Sequence, residues 1–305
     1  MKKIIVSTTI NAPTEAILKY DAMDDWHLVV VGDKKTPKDY SLKHGTYLSP
    51  EDQESLDKPL SDAIGWNCIP RRNIGLLWAY KQGADIISVV DDDNIPLDNW
   101  GKDLLIGKPT KAHYYETHLP SFDPIGATNE HPIWHRGYPI QLLAERHYDQ
   151  KTSRDITADI QADAWQGDPD TDAICRMIFA PNCNFDPKHF PIASNKPMPF
   201  NSQNTFISRR WLKHYFLAPG LGRMDDIWIS YYVQALGATA IFSEASVKHA
   251  RNAHNLEHDR QLEKLGDEKT LLLIKDLAKN PENFKKYLPQ RAIDAFELYQ
   301  RHFVI

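Results

Sequence analysis

The chain of 305 residues is 42% hydrophobic and 25% charged, which is enough to bury the core of one large domain or two modest ones. Its 36 Lys and Arg against 41 Asp and Glu give a net charge of −5, which excludes a general attraction to nucleic acid. The cysteines form neither a CxxC motif nor an even-numbered disulfide framework, so we expect reduced, buried thiols.

The hydrophobic residues occur in short runs along the whole chain. The apolar run near the amino terminus is interrupted by Ser7, Thr8 and Thr9, and it is too short for the core of a signal peptide. No other run approaches the roughly 20 apolar residues of a membrane span. We therefore expect a cytoplasmic protein without a transmembrane segment. Peripheral association with a membrane and assembly into a homo-oligomer stay open.

The first half of the chain alternates strand and helix patterns. Strands are predicted for KKIIVSTTI, WHLVVVGD and ADIISVV, and helices for PTEAILKYDAM and PRRNIGLLWAYKQGA. The third strand pattern has no polar alternation, as expected for a strand that is buried on both faces. This order predicts an α/β fold with a mainly parallel, mixed sheet flanked by helices.

The second half has weaker periodicity. Residues 107–200 are rich in Pro, His and Trp, and we expect long loops and short strands that shape a binding face. The stretch MDDIWISYYVQALGA predicts a helix that ends near Gly237. Charged helical patterns then predict a C-terminal helical segment. We divide the chain into a domain of residues 1–254, with halves 1–106 and 107–254, and a helical extension of residues 255–305.

Three adjacent aspartates, Asp91, Asp92 and Asp93, follow the apolar strand pattern ADIISVV. In open α/β sheets, ligands bind beyond the carboxyl ends of the strands. Carboxylates about 4 Å apart repel by about 4 kcal/mol at an effective dielectric near 20, so they need water, a proton or a cation. Oxygen ligands suit Mg²⁺ or Mn²⁺, which also bind phosphates. A solvated acidic loop is the alternative interpretation of the same triplet.

Several polar side chains are predicted near the same edge of the sheet. Backbone N–H groups at a helix start and guanidinium groups hold phosphate oxygens, and groups at strand ends can bond a base or ribose. Ordinary turn chemistry and solvated arginines explain these residues equally well. The candidates are Thr8, Thr9, Asn11, Asp33, Arg71, Arg72 and Asn73.

Two later features can carry acid–base or metal-binding chemistry. Asp225 and Asp226 stand at a predicted helix start, where they either cap the helix or supply a general base that takes the proton from an attacking hydroxyl. His249 follows a strand pattern, and its imidazole can complete a metal shell begun by carboxylates. Trp134 and Trp165 either stack on a ligand ring or lie in the core.

The order of these motifs resembles the reversibly glycosylated polypeptides (UDP-arabinopyranose mutases) and the related STELLO-type proteins. The matching stretches, from about residue 67 to residue 260, are RRNIG, VVDDDN, WHRGYPI, WQGDPDTDA, FNSQNTFISR, GRMDDIWISYYVQALG and KHARNAHN. Those families have the glycosyltransferase A (GT-A) fold, a Rossmann-like nucleotide-diphospho-sugar transferase domain with an Asp-x-Asp (DXD) metal motif. The resemblance implies this fold for residues 1–254, with nucleotide binding in 1–106 and sugar and acceptor binding in 107–254.

The resemblance also implies roles for the residues at the acidic turn. Asp91 and Asp93 match the motif that binds Mn²⁺ or Mg²⁺ on a nucleotide sugar. His249 matches a late histidine found near the metal in such folds. Asp92 is implied to contact the bound donor or to support the metal ligands.

On the acceptor side, Asp225 or Asp226 matches an acidic pair of these families. In the mutase branch, an arginine in an Arg-Gly-Tyr-Pro stretch becomes reversibly glycosylated, and the matching residue here is Arg136. Asn94 stands where a cysteine commonly follows the acidic triplet in that branch.

The leading hypothesis is a metal-dependent glycosyltransferase that moves a sugar from a UDP-sugar to a hydroxyl acceptor in glycan or polysaccharide synthesis. Arg71 and Arg72 would assist the metal in neutralising the departing UDP, and Asp226 would be the base if the reaction inverts. One alternative is a mutase that interconverts the pyranose and furanose forms of a UDP-sugar. The other is a nucleotide-sugar-binding protein without turnover.

Overall fold

A computed structural model describes residues 1–249 and 255–303 of the chain. Residues 250–254, which belong to the KHARNAHN stretch, lie outside the described residues. The strands are β1 Lys3–Thr8, β2 His27–Val31, β3 Thr46–Leu48, β4 Ile86–Asp91, β5 Asn94–Pro96, β6 Thr110–Tyr115, β7 Lys151–Ile156, β8 Ile160–Gly167, β9 Ile192–Ser194, β10 Asn204–Ser208 and β11 Ala240–His249. The helices are α1 Glu15–Asp21, α2 Pro50–Ile64, α3 Arg72–Lys81, α4 Ala173–Phe179, α5 Ile227–Ala235, α6 Leu256–Lys279 and α7 Gln290–Gln300.

In the described part of the chain, the strands form one mixed sheet in the order β3-β2-β1-β4-β10-β8-β11-β9-β6-β7, with β5 paired to β11. The first four strands run parallel to one another, and β10 runs antiparallel to both β4 and β8. Between residues 107 and 200 the chain forms four strands, one short α-helix and two short 3₁₀ helices, joined by long irregular segments as predicted. The expected α/β class, with a mixed sheet flanked by helices, is confirmed.

The first half of the sheet is covered closely by α3. The β4 residues before Asp91 are all buried, as their apolar pattern predicts. A Cβ atom on Gly75 of α3 would lie 2.5 Å from Val6 Cγ1 and 2.7 Å from Val31 Cγ2, so only glycine allows the helix to pack this near to β1 and β2. This packing holds the start of α3 at the edge of the sheet where β1 and β4 end.

The helices α6 and α7 pack on the same hydrophobic core as the sheet. The rings of Phe216 and Phe296 stack with centroids 5.0 Å apart, and the Tyr299 hydroxyl donates to the Leu212 carbonyl at 3.0 Å. The C-terminal helices therefore share the core of the larger part of the chain. The division at residue 254 stays a prediction.

The three cysteines are free, as the composition predicts, and Cys175 and Cys183 are buried, whereas Cys68 is only partly buried. Burial raises the pKa of Cys68 to about 11 and that of Cys175 to about 12, so neither thiol is a ready nucleophile. None of the helices between residues 1 and 249 or 255 and 303 has the length and apolar character needed to cross a bilayer. The compartment and the oligomeric state stay predictions.

Candidate active site

The carboxyl ends of β1, β2, β4, β8 and β11 meet at one edge of the sheet. Thr8 at the end of β1 pairs with Asp91 at the end of β4, and His249 at the end of β11 pairs with Gly167 at the end of β8. The strand order reverses between β1 and β4, because the chain first adds β2 and β3 on one side of β1 and then β4 on the other. Such a reversal is where open α/β sheets bind ligands. The acidic turn after β4 lies at this point.

Arg72 holds the first aspartate of this turn. Its Nη2 donates to Asp91 Oδ1 at 2.6 Å and to Thr8 Oγ1 at 3.1 Å. Its Nη1 donates to the carbonyl and hydroxyl of Ser202, at 2.5 and 2.7 Å. The guanidinium is 1% exposed and therefore acts from inside the protein. One Asp91 oxygen is thus occupied by an internal cation, and the other is left for a ligand.

Asp93 and His249 face each other across the β5–β11 pairing. His249 pairs with Asn94, so its ring reaches the turn that carries Asp93, and Nε2 lies 3.4 Å from Asp93 Oδ2. The His249 Nδ1–H donates to the Asp168 carbonyl at 2.8 Å, which leaves Nε2 of the neutral ring free as an acceptor. Although burial opposes the charged ring, the Asp93 carboxylate raises the pKa of His249.

The middle aspartate is tied to the loop after β1. Asp92 Oδ2 accepts from Thr9 Oγ1 at 2.5 Å and from Asn11 Nδ2 at 3.1 Å. The Thr14 hydroxyl, which also caps α1, donates to the Asp92 carbonyl. These bonds fix the backbone of the acidic turn against the loop on which the donor candidates lie.

Among the described residues, no three His, Cys, Asp or Glu side chains are already arranged as a metal shell. Asp91, Asp93 and His249 nevertheless converge at one edge of the sheet with acceptor atoms available. Mg²⁺ usually takes one or two carboxylates, keeps several waters and completes its shell with substrate phosphates. The free Asp91 oxygen, the Asp93 carboxylate and His249 Nε2 fit an open site of that kind.

A cavity of about 270 Å³ opens between the ends of β1 and β2 and the start of α3. Six candidates predicted from the sequence line it, namely Thr8, Thr9, Asn11, Asp33, Arg71 and Asp92. Arg72 does not line it, because its guanidinium is used on Asp91 and Ser202. Asn73 is also directed elsewhere, since its Nδ2 donates to the Leu217 carbonyl and its Oδ1 accepts from the Leu217 N–H. The expectation that Asn73 contacts a ligand is therefore not met.

Arg71 is a buried cation in the wall of this cavity. Its N–H groups donate to Gln53 Oε1 and to the carbonyls of Ser61 and Gly65, and its Cζ lies 3.8 Å from the Trp66 ring centroid. Within the described residues it has no ion pair, and burial lowers its pKa to about 10. A buried positive charge without a carboxylate partner favours an anion in the cavity.

Arg136 lies between two carboxylates rather than in an open pocket. Its Nε and Nη2 donate to Asp170 at 2.8 and 3.0 Å, and its Nη1 and Nη2 donate to Asp226 at 3.1 and 3.2 Å. Nη1 also donates to the Arg223 carbonyl. All five guanidinium N–H groups are thereby used. This environment differs from the one expected for a residue that accepts a sugar.

The acidic pair at the start of α5 divides into a bound and a free carboxylate. Asp226 accepts from Arg136 and also from the backbone N–H and hydroxyl of Ser202, at 3.0 and 3.1 Å. Asp225 accepts from the Asp226 N–H at 2.9 Å through Oδ1, and Oδ2 has no hydrogen-bond partner in the described part of the chain. Burial and the adjacent Asp226 raise the pKa of Asp225 to about 7. Of the two, Asp225 is the carboxylate available to take a proton.

Residues that sequence reasoning did not single out connect the two sides of the site. Ser202 bonds both Arg72 and Asp226, and Asp170 completes the clamp on Arg136. Ser202 lies in the polar run before β10. The clustered amide and hydroxyl side chains of this run could have indicated a site residue from the sequence. Asp170 lies in an acidic loop with no periodic pattern to distinguish it from its neighbours.

The two candidate stacking tryptophans are core residues. Trp134 is 3% exposed and its indole N–H donates to Asp172, and Trp165 is 1% exposed and packs edge-on against His135. The expectation that either ring stacks on a sugar is therefore not supported, because neither presents a free face.

Two curated proteins of Arabidopsis thaliana match this chain over 256 residues at 27% identity, covering 77% of the chain. They are named Probable glycosyltransferase STELLO2 and Probable glycosyltransferase STELLO1. This chain is similar in sequence to the STELLO proteins. The resemblance to STELLO-type proteins predicted from the motifs is confirmed. The chain spans about a third of the length of these relatives, 33% in each case.

No family model matches the chain. Among solved structures, glucosyl-3-phosphoglycerate synthase from Mycobacterium tuberculosis aligns with a TM-score of 0.43 and 14% identity, covering 90% of this chain and 79% of that one. A second mycobacterial protein aligns with a TM-score of 0.42 and 12% identity, covering 90% and 74%. Both are distant likenesses.

Proposed function

We propose that this STELLO relative is a metal-dependent glycosyltransferase that transfers a sugar from a UDP-sugar to a hydroxyl of a glycan acceptor. The observation that carries the proposal is the convergence of Asp91, Asp93 and His249 at the strand reversal, beside the cavity that Arg71 lines. The names of the two curated relatives support the transferase class.

The cavity suits the nucleoside end of the donor. Thr9, Asn11 and Asp33 supply hydroxyl, amide and carboxylate groups around a space of about 270 Å³, and Arg71 supplies positive charge. Asp33 accepts from the Lys34 and Asn67 backbone N–H groups, each at 2.7 Å, which fixes the loop after β2 as a rigid wall. A donor held here would extend its diphosphate toward the acidic turn.

The acidic turn suits a divalent cation with water and phosphate oxygens in its remaining positions. A Mn²⁺ or Mg²⁺ ion bound there would neutralise negative charge on the departing diphosphate. Arg72 fixes Asp91, and the Asp168 carbonyl fixes the ring of His249, so the protein holds its ligands in place before the donor arrives.

We assign the general base to Asp225 in place of Asp226. The carboxylate of Asp226 is saturated by Arg136 and Ser202, and taking a proton there would break a buried ion pair. Asp225 keeps a free oxygen, and its pKa of about 7 suits proton transfer at neutral pH.

The test is a panel of nucleotide sugars titrated into the protein by calorimetry with and without Mn²⁺. We expect a UDP-sugar to bind with metal and to lose most of its affinity in Asp91→Asn and Asp93→Asn. The matched control is Asp98→Asn, an exposed aspartate in the turn that follows β5. UDP affinity that is unchanged both by removal of the metal and by Asp93→Asn would support the non-catalytic alternative and contradict the proposal.

Incubation of the protein with the best donor and metal, without an acceptor, separates the transferase from the mutase. A ring-contracted sugar would establish the mutase, whereas slow hydrolysis of the donor agrees with the transferase. The saturated guanidinium of Arg136 counts against the mutase alternative, because that reaction is the one for which a reactive arginine was expected.

A further inference from the structure

A large cavity lies far from the acidic turn. Its volume is about 970 Å³, and it is bounded by the end of α5, the start of β11, the C-terminal part of α6 and the loop of residues 193–198. Ala240 of its wall begins β11, and His249 ends that ten-residue strand, so the two are about 30 Å apart. The cavity is therefore separate from the proposed donor and metal sites.

The wall of this cavity is mostly apolar, and its two amide side chains are already hydrogen-bonded within the protein. Asn195 bonds the backbone of Thr117. Its Oδ1 accepts from the Thr117 N–H at 3.0 Å, and its Nδ2 donates to the Thr117 carbonyl at 3.2 Å. Gln234 is occupied by Met198, accepting from its N–H at 3.0 Å and donating to its carbonyl at 2.7 Å. The side chains of Met198 and Leu277 and several alanines also line the cavity. A ligand that fills the interior must therefore be mainly apolar.

The charge around the cavity has one sign. Lys196, Lys275 and Lys279 line it, and none of its lining residues is Asp or Glu. Lys279 Nζ pairs with Asp276 at 2.9 Å. Within the described residues, Lys196 and Lys275 make no ion pair. In a chain of net charge −5, these two lysines are a local positive excess beside an apolar space.

We infer that this cavity binds a single-chain amphiphile with an anionic head. The apolar chain would lie against Met198 and Leu277, and a carboxylate or phosphate head would lie between Lys196 and Lys275. Charge complementarity decides for an anionic amphiphile over a neutral one, since an apolar wall alone would accept both. The volume is in the range of sites that enclose a drug-sized molecule.

The test is calorimetric titration of the whole chain with dodecyl phosphate and with dodecanoate, each below its critical micelle concentration. We expect saturable binding of one molecule per chain, and the two arms show which head is preferred. In the double variant Lys196→Ala/Lys275→Ala, we expect about three- to tenfold weaker binding, as for two partly exposed charge contacts. The matched control is Lys269→Ala, an exposed lysine of α6 outside the cavity, which should bind as wild type does.

A second variant, Ala278→Trp, places a large side chain at an exposed position of the wall and should abolish binding of the amphiphile. Thermal unfolding checks that each variant is folded. The neutral dodecyl maltoside, also below its critical micelle concentration, should be unaffected by the double lysine variant. The inference is overturned if neither anion binds saturably, if Ala278→Trp binds as well as wild type, or if removal of both lysines leaves the affinity for the anions unchanged.

Discussion

Arg72 Nη2 lies 2.6 Å from Asp91 Oδ1, so the first aspartate of the acidic turn is held by an arginine that is itself 1% exposed. The pair joins the start of α3 to the end of β4. It fixes the direction in which the second Asp91 oxygen points, whereas Asp93 pairs with no arginine among the described residues. The metal-binding function of the turn should therefore depend more on Asp93 than on Asp91.

We predict that Asp93→Asn weakens Mn²⁺ binding by about 10- to 100-fold, because the neutral amide oxygen of Asn binds a hard divalent cation more weakly than a carboxylate does. Calorimetry with MnCl₂ in the presence of UDP measures the change. Asp98→Asn serves as the control with the same chemical change on an exposed side chain. Equal Mn²⁺ affinity in both variants would show that the cation binds elsewhere.

We predict that Asp225→Asn lowers kcat by at least about 100-fold and leaves the affinity for UDP unchanged. The wild-type kcat should fall as the pH drops through about 7, because the raised pKa of Asp225 means that its basic form is lost below that value. Pre-steady-state or steady-state rates across pH 5–9, at saturating metal, measure both effects. If Asp225→Asn keeps full activity while folded Asp226→Asn is inactive, Asp226 is the base instead.

We predict that Arg136 does not become glycosylated, because each of its N–H groups is already bonded within a buried clamp. Intact-mass and peptide mass spectrometry after incubation with a UDP-sugar and Mn²⁺ should show no added sugar on this residue. Arg136→Ala should instead lower the free energy of unfolding by about 3–5 kcal/mol, since it leaves Asp170 and Asp226 buried without their cation. A sugar adduct at Arg136 would restore the mutase alternative.

We predict that Asp163 makes the protein less stable at high pH. Burial raises its pKa from 3.8 to about 7, so the folded chain keeps a proton that the unfolded chain loses. This contribution to stability is fully present below the unfolded pKa and is lost as the pH rises through about 7. Asp163→Asn should remove a cost of about 2–4 kcal/mol at pH 8 and raise Tm there more than at pH 5. The exposed Asp98→Asn variant should show no such pH-dependent gain.

The strand that delivers the acidic turn could be predicted because its pattern is local. The apolar run from Ile86 to Val90 fits only a strand buried on both faces, and the charge begins where that run stops. The turn therefore had to lie at the edge of the sheet. The helix α2 was missed, although Ser49 and Asp52 form a capping box at its start that the sequence contains.

The partners of the charged groups could not be predicted, because they come from distant and irregular parts of the chain. Arg136 meets Asp170 and Asp226 across loops whose sequence has no period. The directions of the side chains at the start of α3 could not be predicted from the sequence either. Arg71 faces the small cavity, its neighbour Arg72 faces the acidic turn, and no propensity distinguishes them.

Ser202 contacts the arginine that fixes the metal side and the aspartate that anchors the acceptor side, so one small side chain belongs to both halves of the chemistry. Substitutions on the two sides should consequently show non-additive energies in a double-mutant cycle. A designer who wishes to retarget the acceptor has little freedom at Asp226, since any change there is transmitted through this serine to the grip on the donor.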